Sequence, residues 1–172
     1  RERAVAERRF EDVRQLANKV VFKYHDAIAA LPGSTEAREM LVKDATEYLD
    51  KLSRDAEDNP ALAQELAISY LKIGNVQGES YRANLGDSEG ALTSYRKSVE
   101  LSERLVRNYP QNIEYRRNLR DVYRQISGLQ VRRENWKEAA DAAKKHIDLC
   151  RDILALEPKN VQKQFALTRA YV

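Results

Sequence analysis

The chain has 172 residues, 42% hydrophobic and 33% charged, with only 6 Gly and 4 Pro, a composition that suits long helices with solvated outer faces. A net charge of +3, from 30 basic and 27 acidic residues, argues against a dedicated nucleic-acid binder, which concentrates basic charge. One cysteine excludes an internal disulfide or a multi-cysteine metal site, and no run of 18 apolar residues is present to span a membrane.

Residues 1–31 predict one long helix. Ala6, Phe10, Val13, Ala17, Val20, Tyr24, Ala27 and Leu31 are spaced alternately four and three apart, as in a heptad seam. Such a seam packs against the next helix in an antiparallel hairpin, or continues as a coiled coil through which two copies self-associate. Ala and Tyr in place of the Leu and Ile of strong zippers favour the hairpin. Leu31-Pro32-Gly33-Ser34 breaks the helix and offers Ser34 or Thr35 as the next cap. Residues 35–55 predict a second helix, with Ala37, Leu41, Ala45, Tyr48, Leu49 and Leu52 on one face. Residues 1–55 therefore form an N-terminal helical hairpin, closed by a polar break that runs to Pro60.

From residue 56 the chain repeats itself. Leu66/Tyr70, Leu119/Tyr123 and Leu167/Tyr171 share one spacing, and an Asn stands seven residues before each Leu, at Asn59, Asn112 and Asn160. Tyr109-Pro110-Gln111-Asn112-Ile113 aligns with Glu157-Pro158-Lys159-Asn160-Val161, 48 residues on. A recurring unit of this size signals stacked structural repeats, each burying its face against a neighbour. Repeat one (about 59–110) pairs a helix near 60–77 (Leu62, Leu66, Ala67, Tyr70, Ile73) with one near 88–108 (Ala91, Leu92, Tyr95, Val99, Leu105, Val106). Repeat two (about 111–158) pairs 112–132 (Leu119, Val122, Tyr123, Ile126) with 135–156 (Trp136, Ala139, Ala140, Ala143, Ile147, Cys150, Leu154). A third, truncated repeat opens from 159. Every strong period is helical, so the fold class is all-α.

At these residues the chain resembles the tetratricopeptide-repeat family. That pattern has Leu, a small residue and an aromatic on the first helix, here Leu66-Ala67 and Tyr70. The second helix has a small residue and closes at a Pro, here Ala91 with Tyr95 and Pro110, then Ala139 with Ala143 and Pro158. Gly86-Asp87 and Glu134-Asn135 fall where the family turns between helices. The unit here is longer than the family's period of about 34 residues, and Arg120 and Thr168 stand where a small residue belongs. The resemblance implies antiparallel helix pairs in a right-handed α-solenoid that binds a protein or peptide on its inner face. Carried over, the inner-face positions are Gln64, Ile68 and Lys72 in repeat one, Arg117, Asp121 and Arg124 in repeat two, and Arg169 in repeat three. Of the carboxylate clamp some members carry, only Asn118 matches, so a chaperone-type clamp is not expected. The mixed Arg/Asp lining implies a partner bearing both signs, or an acidic one held by Arg.

A narrower resemblance covers Ala6–Asn18, Tyr24–Ile28, Leu31–Ser34 and Tyr81–Asp87. These runs are similar to the region C-terminal to the catalytic domain of bacterial serine/threonine protein kinases. It implies a kinase upstream of Arg1, often with one transmembrane helix between, and a role here as sensor or scaffold arm. No glycine-rich loop, catalytic loop or Asp-Phe-Gly signature occurs in this chain. The absence of an initial Met and of a signal-peptide pattern reads as a segment cut from a longer protein. A single-span parent would place the segment outside the inner membrane, although Arg1, Arg3, Arg8 and Arg9 fit an outer flank poorly; otherwise it is cytoplasmic. The competing expectations are a free-standing repeat adaptor and a homodimerising stalk.

Little here suggests chemistry. His146 and Cys150 are four apart on one helix face, but two ligands do not make a metal site, and the Cys falls on an apolar stripe. His25 is isolated. No nucleophile–base constellation, cofactor site or metal site is expected. Arg116, Arg117, Arg120 and Arg124, extended by Arg132 and Arg133, form the densest basic cluster, with Tyr115 and Tyr123 among them. Glu114, Asp121 and Glu134 dilute its field, and nucleic acid is not the favoured partner.

Overall fold

The computed structural model describes residues 35–53, 56, 59–78 and 84–157. The predicted helix over 1–31, with its possible self-association, and the third repeat, with Arg169, lie outside the described residues. The chain divides into two units, residues 1–51 and 52–172. Among the described residues there are five helices and no strand, and no helix long and apolar enough to cross a membrane.

Helix α1 (Thr35–Leu52), in the first unit but for its last residue, stops short of the expected 55. Its buried line is Arg38, Val42, Ala45, Leu49 and Leu52, three and four apart. Ala37, expected on that face, is exposed, and Leu41 and Tyr48 are only half-buried. Arg38 takes the place of Ala37 at the head of the line, because its methylene stem can lie along apolar surface.

The second unit contains α2 (Pro60–Gly78), α3 (Ser88–Asn108), α4 (Ile113–Arg132) and α5 (Trp136–Leu156). Helices α2, α3 and α4 begin where a capping side chain satisfies a first-turn N–H group. Asn59 Oδ1 accepts from Leu62 N at 3.1 Å, and Pro60 follows at the first helical position, where its missing N–H costs nothing. Asn112 Oδ1 accepts from Glu114 N at 3.0 Å and Tyr115 N at 3.3 Å. The recurrent Asn is thus the N-cap of each repeat's first helix, at least in the two described copies. The turns inside the repeats also match. Gly86 has φ +77° and Glu134, 48 residues on, has φ +59°, and each is followed by an N-cap, Asp87 or Asn135. At the α3–α4 junction Tyr109 and Tyr115 meet edge to face with centroids 5.7 Å apart.

Helices α2 and α3 run antiparallel in close contact, as do α4 and α5. Along the first pair the partners step in opposite directions. Ser94 Oγ donates to Gln77 Oε1 at 2.7 Å, Ser98 Oγ to Ala67 O at 2.6 Å, and Arg104 Nη2 to Ala56 O at 3.0 Å. Short side chains permit this approach: Ser94, Ser98 and Ser102, four apart on α3, are all buried. Gly74 lies directly under the Tyr95 ring, and a Cβ at Gly78 would come within 3.0 Å of Ala91 Cβ. Tyr95 is fully buried, with its hydroxyl donating to Asn75 Oδ1 at 2.9 Å.

Helix α4 then packs on α3, and also touches α2. Val122 and Leu129 join Ala91, Leu92 and Tyr95 in one core, with Leu71, Val99 and Ile126 at its margin. Leu119 and Tyr123 join Ala142 and Leu149 of α5 in a second. On α5 the buried residues are Ala139, Ala142, Leu149, Cys150 and Ile153. The expected stripe was misplaced in part: Trp136 is 64% exposed, Ala140 is exposed, and Ala143, Ile147 and Leu154 are half-buried. The buried face of α5 runs through positions 139, 142, 149 and 153, rotated from the stripe the sequence suggests.

Two stability changes are expected. Gly74→Ala drives a methyl into the Tyr95 ring and lowers stability by about 1–3 kcal/mol. Asn112→Ala removes a cap with two hydrogen bonds and lowers it by about 1 kcal/mol. Urea denaturation of each variant against the parent chain measures both.

Candidate functional site

The predicted inner-face residues lie on two helices. On α2, Gln64 and Ile68 are half-buried and Lys72 is exposed; on α4, Arg117 and Asp121 are half-buried and Arg124 is exposed. These are the positions left after α2 commits Leu62, Leu66, Tyr70 and Ile73, and α4 commits Leu119, Val122, Tyr123 and Leu129, to burial. Both helices run antiparallel to α3 and touch each other, so the two sets stand on parallel neighbours. Gln64 and Ile68 sit 53 residues before Arg117 and Asp121, at matching positions of the two copies. The third pair is out of step: Lys72 matches Gln125, which is buried, and Arg124 matches Leu71.

Much of the charge is already engaged. Arg117 bonds to Glu114 through Nη1 and to Glu157 Oε2 through Nη2 at 3.2 Å. Asp121 Oδ1 accepts from Arg120 Nε at 2.9 Å and Nη2 at 2.7 Å. Arg132 Nη2 donates to Gly78 O at 2.8 Å, and Arg133 pairs with Glu89. Arg124 is exposed with no ion-pair partner among the described residues. The basic cluster seen in the sequence is therefore divided, with Arg132 and Arg133 tying the end of α4 back to α2 and α3.

Two polar groups tie α4 to its neighbours. Tyr123 donates its hydroxyl to Glu103 Oε1 at 2.6 Å and accepts from Lys145 Nζ at 3.0 Å, with that ammonium 4.8 Å from the ring centroid. Burial first, and then the Glu103 carboxylate, push the phenol above its ordinary range and keep it protonated. His146 and Cys150, the other pair singled out by spacing, do come together. His146 Nδ1 lies 3.2 Å from Arg120 O, and Nε2 lies 3.8 Å from Cys150 Sγ. With Nδ1–H donating to the carbonyl, Nε2 is an acceptor facing the thiol. Burial raises the Cys150 thiol and lowers the His146 imidazole; the hydrogen bond to the Arg120 carbonyl opposes that lowering, and the charges of Arg120 and Arg124 add to it. A protonated thiol is a poor nucleophile and a poor ligand. Among the described residues no group of three or more His, Cys, Asp or Glu could hold a metal ion.

A cleft of about 220 Å³ lies between the start of α2 and the end of α3, lined by Ala56, Pro60, Ala63, Arg104, Leu105, Asn108 and Tyr109. It falls below the roughly 300–1,000 Å³ of small-molecule sites. The features that sequence reasoning missed are Glu157, which reaches 40 residues back to Arg117, and the exposure of Trp136. Neither has a local sequence signal.

Compared with models of protein families and with curated proteins, the chain matches none.

The neutral His146 generates a pH prediction. Its pKa is depressed in the folded state, so its contribution is fully present above the unfolded value near 6.5 and is lost as pH falls below that value. The urea midpoint of the parent chain should fall between pH 7.5 and 5.5 by more than that of His146→Gln. Equal pH dependence in the two proteins refutes the assignment.

Proposed function

We propose that this chain is a protein-binding module of the tetratricopeptide-repeat kind, a right-handed α-solenoid that performs no reaction itself. The observation that carries the reading is the recurrence of one local plan at equivalent positions: Asn cap, buried Leu and Tyr, and a left-handed residue before the second N-cap. Stacked units of this type leave an extended inner face, and their usual work is to grip another protein. The inner face proposed here is Gln64, Ile68 and Lys72 with Arg117, Asp121 and Arg124, continuing to Arg169. Arg124 offers an exposed guanidinium for a carboxylate. Arg117 and Asp121, both half-buried, would exchange their present partners for those of a ligand. The sequence resemblance supports placement of the module as the non-catalytic C-terminal arm of a bacterial serine/threonine protein kinase.

Replacing Arg117, Asp121 and Arg124 together by Ala should reduce capture from a peptide library by about tenfold or more while leaving the thermal midpoint nearly unchanged. Undiminished capture by the triple variant removes this face from the proposal.

A further inference from the structure

We infer that the cleft between the start of α2 and the end of α3 receives one acidic side chain of a partner protein, held on Arg104. The cleft shares no residue with the inner face proposed above, and the inference does not rest on that face.

Arg104 lines the cleft together with Pro60 and with Ala63 and Leu105, both of them buried. Its side chain is half-buried and is anchored by one bond, from Nη2 to Ala56 O at 3.0 Å. It has no ion-pair partner among the described residues, whereas Arg107, Arg117, Arg120 and Arg133 each meet a carboxylate. A partly buried cation without a counter-ion is destabilising, and a guanidinium held in one orientation is suited to a carboxylate. No Asp or Glu is among the described residues that line the cleft. The start of one helix meets the end of another here, so their dipoles oppose and the guanidinium sets the sign of the site.

The second repeat shows what such a place accommodates. The counterpart of Ala63, 53 residues on, is Arg116, whose Nε and Nη1 are buried. The counterpart of Arg104, 48 residues on, is Asp152. Thus the second repeat supplies a long cationic side chain of its own and has an acid at the wall position. The first has only a methyl group, leaves the space open and has a cation at the wall position, so the complementary occupant is an anion. At about 220 Å³ the space falls short of small-molecule sites and suits a single side chain. Glu matches it, with two methylenes to lie along Ala63 and Leu105 and a carboxylate to reach Arg104.

The test is side-chain NMR of the whole chain, read at the Arg104 Nε–H and Asn108 Nδ2–H signals, with N-acetyl-glutamate methylamide as the probe. Asn108 also lines the cleft. The expected result is a saturable shift of both signals. The glutamine analogue should bind about fivefold or more weakly, because a charged acceptor makes the stronger bond. Arg104→Gln, which keeps a donor for the Ala56 carbonyl, should weaken the Asn108 response by about as much. Equal responses to the two probes, or an undiminished Asn108 shift in Arg104→Gln, overturn the inference. Glutarate that binds as tightly as the blocked amino acid assigns the cleft to a free small acid and overturns the partner side chain. Binding seen only in the variant Asp55→Asn, Glu57→Gln, Asp58→Asn assigns the cleft to the chain's own carboxylates and overturns it too. Peptide capture by the inner face is read separately, so either proposal can fail while the other stands.

Discussion

The second unit depends on how closely α2 and α3 approach. With Gly74 beneath the Tyr95 ring, Gly78 against Ala91, and Ser98 within reach of the Ala67 carbonyl, no longer side chain fits between the two axes. Close packing of this kind tolerates little change in volume, so the pair acts as one rigid body. The serines also resolve a conflict. Small apolar residues alone would bring the helices together without fixing their register, whereas hydroxyls that donate to Gln77 and to a backbone carbonyl accept few alternatives. Once the pair is set, Ala91, Leu92 and Tyr95 present a surface that α4 fills with Val122 and Leu129. The second pair repeats the device with Ser127, whose hydroxyl donates to the Ala139 carbonyl at 3.1 Å.

Charge has a secondary part. Arginines on α4, and Arg133 just after it, close contacts within the unit: Arg120 on Asp121, Arg132 on Gly78, Arg133 on Glu89, and Arg117 on Glu114 and Glu157. Exposed pairs contribute little to stability, but the bonds to Glu157, Gly78 and Glu89 tie the two ends of α4 to the elements around it. A field that looks continuous along the sequence becomes a set of local pairs, with Arg124 left facing solvent.

Helix positions in the second unit were readable because three local signals agreed there: apolar period, cap residues and turn residues. Observed and expected ends differ by at most one residue for α2 to α5. The faces were harder. In α1 the sequence offers both Ala37 and Arg38 for one position, and hydropathy favours the residue that turns out to be exposed. In α5 alanines at 139, 140, 142 and 143 give nearly equal support to two neighbouring faces, and Trp136 draws the reading toward the wrong one. Buried serines on α3 escape a hydropathy reading altogether, since it is their small size that places them inside. Of the site residues, Lys72 and Arg124, placed by the family resemblance, are exposed, whereas the bonds that occupy Arg117 and Asp121 have no local sequence signal.

The sequence by itself determined the all-helical class, the boundaries of α2 to α5 and the recurrence of one local plan, because caps, turns and the 3.6-residue period act within a few residues of chain. Only the tertiary structure decided which charges are spent, which alanines face α4, and that Trp136 stays in water. Each of those depends on a neighbour tens of residues away: Arg117 on Glu157, Arg133 on Glu89, and Leu92 on Leu129. No local pattern encodes such a distance.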